Sequence, residues 1–438
     1  MEYKKILMIS TVTLLLLSSC VQHINPVTRT PTRIQIPAPT LSPIPQTEEN
    51  LMPNTCQVTV EQIFPDFKDG GVIVLSDYIG YSGESFSDLS YLYNIKIRKL
   101  IPLLQEPERY ILPFSFMVSP DRSRLAYVQE NDNYINMSLS RDPYLYIVTS
   151  TGAEEKKYQI QISSSFGWLD ENHIILEQMV SGDGNSITTP NGTMADTTPH
   201  SFAWFLMNTA TGETQELQSK FPDQILYGQI ISFPASRLIY NSAHDLVIYP
   251  AALPNTVLRL YDVTKARAIA DVSTTDFGKF HFWSPDDKRI AFATNTRQDG
   301  RSDDELFILD NTGALMQLTH LSDPKFYSKI TGLSWSPNGS QIAYWIDRYN
   351  RQSASNNSRL FVTNISTRKS RQFCDFKIPG GDYFSNMENP IWSPDGKYLL
   401  ATLTNSANEQ NTIVIIIDIS SGKAYRIGDD FRAIGWLR

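Results

Sequence analysis

Three stretches of the chain read almost alike: Phe282-Trp283-Ser284-Pro285-Asp286-Asp287-Lys288-Arg289-Ile290-Ala291-Phe292, Ser334-Trp335-Ser336-Pro337-Asn338-Gly339-Ser340-Gln341-Ile342-Ala343-Tyr344 and Ile391-Trp392-Ser393-Pro394-Asp395-Gly396-Lys397-Tyr398-Leu399-Leu400-Ala401. Each spells a short strand, a tight turn and a second strand. In Ser393-Pro394-Asp395-Gly396 the proline presets φ at the second turn position and glycine takes the fourth, as a type I turn prefers. The apolar or aromatic run behind the turn has strand character.

Weaker copies extend the series in both directions. Val118-Ser119-Pro120-Asp121 leads into Arg124-Leu125-Ala126-Tyr127-Val128, Trp168-Leu169-Asp170 into His173-Ile174-Ile175-Leu176, and Ile231-Ser232-Phe233-Pro234 into Arg237-Leu238-Ile239-Tyr240. The anchors at 118, 168, 231, 283, 335 and 392 are spaced by 50, 63, 52, 52 and 57 residues. Behind each pair come a third and a fourth strand, with third strands read at 145–149, 204–208, 258–263, 306–310, 360–364 and 413–419. Four antiparallel strands at this period make a β-propeller blade. A seventh anchor, Ala433-Ile434-Gly435-Trp436-Leu437-Arg438, has no strands after it, while 71–76, 90–95 and 97–104 look like second, third and fourth strands without a first. Pairing the last strand with these three closes the ring and removes exposed sheet edges. The expectation is an all-β, seven-bladed propeller, or six blades if the third unit is degenerate.

The Trp-Ser-Pro-Asp-Gly repeat followed by an Ile-Ala-Phe-like strand resembles the TolB-type, WD-repeat-like propellers. The resemblance covers about residues 57–438, closely in three units and loosely in three more. TolB carries a separate α/β domain ahead of its propeller, where this chain has only a proline-rich stretch, so the resemblance implies the fold and not TolB's partners.

At the N-terminus, Lys4 and Lys5 precede an apolar run at 6–17, too short to span a bilayer core of roughly 30 Å and suited to a signal peptide. It ends in Leu17-Ser18-Ser19-Cys20, which resembles the lipobox of bacterial lipoproteins. That resemblance implies cleavage after residue 19 and acylation of Cys20. Val21 stands where an Asp would retain a lipoprotein in the inner membrane, so the expected location is the cell membrane or outer membrane, facing the periplasm or the exterior. Residues 20–55 carry Pro at 26, 31, 37, 39, 43, 45 and 53 and read as an extended tether, leaving 56–438 for the propeller.

The 438 residues carry a net charge of −8, with Tyr 21, Phe 21 and Trp 7. No concentrated basic surface is visible, which excludes a nucleic-acid partner. Loss of residues 1–19 removes Lys4, Lys5 and Glu2, so the charge becomes −8 − 1 = −9, leaving the acyl chains as the membrane anchor. Three cysteines, at 20, 56 and 374, make neither a disulfide framework nor a zinc site, and pairing of Cys56 with Cys374 stays open.

The connections from second to third strands are read as the long ones, at 77–89, 129–143, 179–200, 241–256, 295–304 and 347–358. Long loops on a rigid scaffold are where binding resides. They carry Tyr78, Tyr81, Phe86, Tyr134, Tyr249 and Tyr349 among small polar residues, a mix that offers flat contact area and adaptable hydrogen bonds. Motifs for chemistry are absent. None of the six histidines sits in His-Glu-x-x-His, no glycine-rich phosphate cradle occurs, and Gly80-Tyr81-Ser82-Gly83-Glu84 lacks the last glycine of a nucleophile elbow. His173, His244, His281 and Asp276 are weak candidates to converge on a metal, and Asp183-Gly184-Asn185 supplies too few ligands for calcium. Propellers also precede the hydrolase domain of prolyl oligopeptidase-like peptidases, but this chain ends at its closing strand. Trp283, Trp335, Trp392 and Trp436, one per repeat, are expected to pack between blades. The expected protein is a monomeric, non-catalytic propeller without a cofactor, binding a protein, peptide or glycan. The alternative is a hydrolase or lyase working at the central funnel.

Overall fold

Runs such as Thr412–Asp418 and Asp304–Asp310 are apolar without alternation, and each is buried at six of its seven residues. A strand must be covered on both faces to read that way, and a blade pressed between two neighbours meets that demand. The computed structural model describes residues 33–35, 57–61, 71–77, 90–103, 109–111, 116–131, 144–160, 166–181, 201–216, 239–243, 245–252, 257–273, 279–295, 303–321, 326–350, 356–378, 381–385, 388–405 and 411–438. It divides the chain into two units, Met1–Thr32, which lies outside the described residues, and Arg33–Arg438.

The second unit is a seven-bladed propeller of four-stranded antiparallel blades. From the inner strand outward, blade 2 is Met117–Val118, Arg124–Asn131, Tyr144–Thr149 and Glu154–Gln159, and blade 3 is Phe166–Trp168, His173–Ser181, Ser201–Asn208 and Thr214–Glu216. Blade 4 is Ile239–Tyr240, Leu246–Ala252, Val257–Asp262 and Arg267–Ser273, and blade 5 is Lys279–Trp283, Arg289–Asn295, Asp304–Asp310 and Leu315–Gln317. Blade 6 is Phe326–Trp335, Gln341–Asn350, Asn356–Asn364 and Ser370–Ile378, and blade 7 is Ile391–Trp392, Tyr398–Asn405, Thr412–Asp418 and Ala424–Asp429. Blade 1 closes the ring as the repeat count required: Phe431–Leu437 is its inner strand, followed by Val72–Asp77, Ser90–Asn94 and Lys99–Pro102. The described core falls into seven apolar clusters, one at each boundary between successive blades.

The turns after the inner strands explain the repeat. In Ser284-Pro285-Asp286-Asp287 the serine hydroxyl donates to Asp286 (2.5 Å) and accepts from the Arg289 amide (3.0 Å), and the Ser284 amide donates to the Arg289 carbonyl (2.7 Å). Ser119, Ser336 and Ser393 repeat this arrangement. Tryptophan ties the blades together, as expected for Trp335 and Trp392, with Trp168 in addition: the Trp168, Trp335 and Trp392 indoles donate to the carbonyls of Met117, Phe282 and Ser334 in the preceding blade. Arg124 and Arg289 lie over the Trp168 and Trp335 rings, each 5.2 Å from the centroid.

Blade 4 corrects the sequence reading by one strand. Ile239–Tyr240 is its inner strand, not its second, and the tight turn is 241–245. There the Asn241 side chain replaces the serine, accepting from the Leu246 amide (2.9 Å) while the Asn241 amide donates to the Leu246 carbonyl (3.0 Å). Ser232-Phe233-Pro234 imitates the repeat but lies outside the described residues.

Strands beyond the four-per-blade pattern also occur. Arg33–Gln35, inside the stretch read as a tether, runs parallel along the outer strand of blade 4. Gln57–Glu61 runs parallel to the outer strands of blades 6 and 7. Gly381–Ser385 leaves the outer strand of blade 6 and pairs with the second strand of blade 7.

Candidate functional site

The two faces of the ring differ in how their polar groups are held. On the tight-turn face, carboxylates such as Asp286 and Asp395 resist burial through hydrogen bonds from the turn serine and nearby amides, and they are held below the usual carboxylate range. The opposite face, where second strands connect to third, collects buried polar side chains at the strand ends: Ser76, Ser90, Gln129, Asp303, Asp304, Ser328, Asp347, Ser358, Thr404 and Thr412.

Blade 6 has the longest described strands reaching this face. Its inner and second strands are ten residues each, paired from Phe326↔Asn350 to Trp335↔Ile342. Tyr327 and Tyr349 stand directly opposite each other at the upper end, with ring centroids 4.7 Å apart and planes within 9°. Both are half-buried, and the Arg348 guanidinium lies 5.8 Å from the centre of the Phe326 ring. Stacked cross-strand aromatics stiffen a strand end and display flat surface.

Charge lies just beneath this aromatic end. Lys329 pairs in register with Asp347, which is buried and accepts from the Ser358 hydroxyl (2.5 Å). Burial pushes the Asp347 carboxyl up, against hydrogen bonds from Ser358 and Tyr349 and the charge of Lys329. Blade 5 supplies the next acids. Asp303 accepts from the Ser328 amide (2.5 Å) and Asp304 from the Ile330 amide (3.0 Å), at the start of the inner strand of blade 6. Glu305 accepts from the Thr319 hydroxyl (2.6 Å) and the Leu321 amide (2.7 Å). Burial pushes its carboxyl up to about 8, Asp303 adding to the shift while the hydrogen bonds oppose it.

On the other flank, blade 7 presses against blade 6. The Leu333 amide donates to the Asn389 side chain (3.0 Å), and the Ser334 hydroxyl donates to the Pro390 carbonyl. Glu388 ion-pairs with Arg432 of the closing strand, and burial nevertheless raises the Glu388 carboxyl. These acids are engaged by amides, hydroxyls and a guanidinium, and they lie beneath a polar and aromatic strand end.

The tyrosines expected at the site separate. Tyr349 is on this face, but within a strand: the second and third strands of blade 6 run to Asn350 and from Asn356, leaving 351–355 as the connection instead of 347–358. Tyr249 is a correction. It lies inside Leu246–Ala252, 1% exposed and edge-on to Tyr261, because the one-strand shift of blade 4 turns the expected loop into its second strand. Tyr78, Tyr81, Phe86, Tyr134 and Cys20 lie outside the described residues, as do His244, Asp276, Cys56 and 183–185. His173 pairs with Asp170 in a tight turn (2.9 Å), and among the described residues no group of three or more His, Cys, Asp or Glu is placed to hold a metal ion. Tyr327, Lys329 and Arg348 were missed by sequence reasoning, although the run Phe326-Tyr327-Ser328-Lys329-Ile330 ahead of the Trp335 anchor carried the strand signal.

No family model and no curated protein sequence matches the chain. Solved structures do. A TolB candidate from Agrobacterium tumefaciens matches with 13% identity over 82% of this chain and 88% of that one, at a TM-score of 0.36. A candidate 6-phosphogluconolactonase from Bacteroides fragilis matches with 12% identity over 85% and 99%, at 0.44. An oligogalacturonate lyase from Vibrio parahaemolyticus matches with 12% identity over 83% and 80%, at 0.33.

Proposed function

We propose that this protein is a lipid-anchored extracytoplasmic propeller that binds a protein, peptide or glycan on its long-connection face without transforming it. The observation that carries the reading is the strand end of blade 6, where the Tyr327–Tyr349 stack lies above the Lys329–Asp347 register pair and Arg348 lies against Phe326. Rigid aromatics with adjacent charge are the composition of recognition surfaces. The anchor rests on Cys20 in Leu17-Ser18-Ser19-Cys20, ahead of the proline-rich stretch. The funnel hydrolase or lyase is the weaker reading, because Asp303, Asp304, Glu305 and Asp347 already accept hydrogen bonds from the protein.

The test is crosslinking capture from the native envelope with the full-length protein, compared with Tyr327→Ala/Tyr349→Ala. Truncating two central aromatics is expected to weaken retention at least tenfold, about 1.4 kcal/mol or more, with the melting transition preserved. Equal recovery of the same partners by both proteins would remove the face from consideration.

A further inference from the structure

The outer hairpin of blade 1 exposes large apolar side chains beside cations. Ile97 is 62% and Leu100 41% exposed, and they are the exposed large apolar side chains among the described residues. They alternate with exposed Lys96, Arg98 and Lys99. Residues 89–104 hold these three cations and no acid, in a chain of net charge −8.

The hairpin tip is built to hold its shape. The Asn94 side chain accepts from the Lys96 amide (3.1 Å) and the Ile97 amide (3.2 Å), and Arg98 takes a left-handed conformation at φ 53°. Leu92 and Ile95 are buried beneath it, at 0% and 4% exposure. Blade 2's outer strand, the neighbouring edge, carries Glu154, Glu155, Lys156 and Lys157 and is neutral in sum, and the equivalent turn of blade 6 holds Arg368, Lys369 and Arg371 but, among the described residues, exposes no large apolar side chain.

We propose that the tip formed by Lys96, Ile97, Arg98, Lys99 and Leu100 docks the propeller onto an anionic lipid bilayer. Apolar side chains interleaved with cations on a fixed turn suit the headgroup boundary. There the isoleucine and leucine leave water while the cations meet lipid phosphates. An acidic protein would use the charges but leave Ile97 unexplained. The proposal rests on the membrane anchoring argued above for bringing the ring to a bilayer. The tip then selects the orientation in which the anchored ring sits.

The test uses membrane-extracted full-length protein reconstituted in vesicles of phosphatidylcholine alone, in vesicles containing about one third phosphatidylglycerol, or kept in detergent, with amine-reactive footprinting read by mass spectrometry. Modification of Lys96 and Lys99 should fall about threefold in the anionic vesicles only, with Lys265 on blade 4 unchanged. Ile97→Ser/Leu100→Ser should restore modification, and both side chains are exposed, so folding is spared. Flotation separates the two readings. Protein that floats with both vesicle types yet shows no protection keeps its anchor and overturns the docking tip. Protein that floats only with anionic vesicles supports the tip and overturns the anchor, and protein that floats with neither overturns both.

Discussion

Glu305 shows how much a single buried side chain can tie stability to pH. The residue is 5% exposed, and burial pushes its carboxyl up to about 8 from an ordinary value of 4.5. A folded-state pKa above the unfolded one means that folding favours the protonated form. Its contribution is therefore complete below about pH 4.5 and declines as pH rises toward 8, by an amount on the order of a few kcal/mol. Glu305→Gln keeps the shape without the ionisation. Its melting temperature should exceed that of the parent protein at pH 8 and approach it at pH 5, and parallel curves across this range would disprove the assignment. Tyr249 offers a second test at this scale. As a core residue, Tyr249→Ala should cost about 3–5 kcal/mol of stability. A surface residue would show no such loss, so thermal unfolding of this variant distinguishes core from loop.

Strand contacts decide what the side chains can do. Gly332 sits at a bulge in the inner strand of blade 6, where an added Cβ would come within 2.6 Å of the Glu388 carbonyl oxygen. Backbone cannot yield there as a flexible side chain would, so Gly332→Ala should lose about 1–3 kcal/mol and loosen the seam between blades 6 and 7. Hydrogen exchange at Leu333 and Ser334 reads that loosening, and unchanged protection would count against the seam.

At the scale of the whole molecule, ring closure was legible because tight turns tolerate few residues. Ser-Pro-Asp-Gly at 393–396 and its relatives reveal a blade each, and the orphan strand at the C-terminus demands a partner at the front. Where asparagine does the work of serine, at Asn241, the signal vanished and Tyr249 was carried into a loop. The height of blade 6 was hidden for a different reason: a strand continues as long as its neighbours offer pairing, and local pattern does not record that length. Closure itself is open to experiment. Phe431–Leu437 pairs from Asp77↔Phe431 to Val72↔Leu437, buries Trp436 and Leu437, and is followed by the Arg438 amide donating to the Arg122 carbonyl (2.8 Å). The Arg122 guanidinium in turn donates to the Trp392 carbonyl (2.9 Å), so blades 2, 1 and 7 are linked through one turn. Burial of two large side chains at roughly 1.5–3 kcal/mol each is a large part of the 5–15 kcal/mol that holds an ordinary domain folded. Deleting residues 431–438 should therefore abolish the cooperative melt and expose the edge of Val72–Asp77 to self-association, visible by light scattering. A truncated protein that stays monomeric and melts at the parent temperature would show that the ring does not depend on this strand.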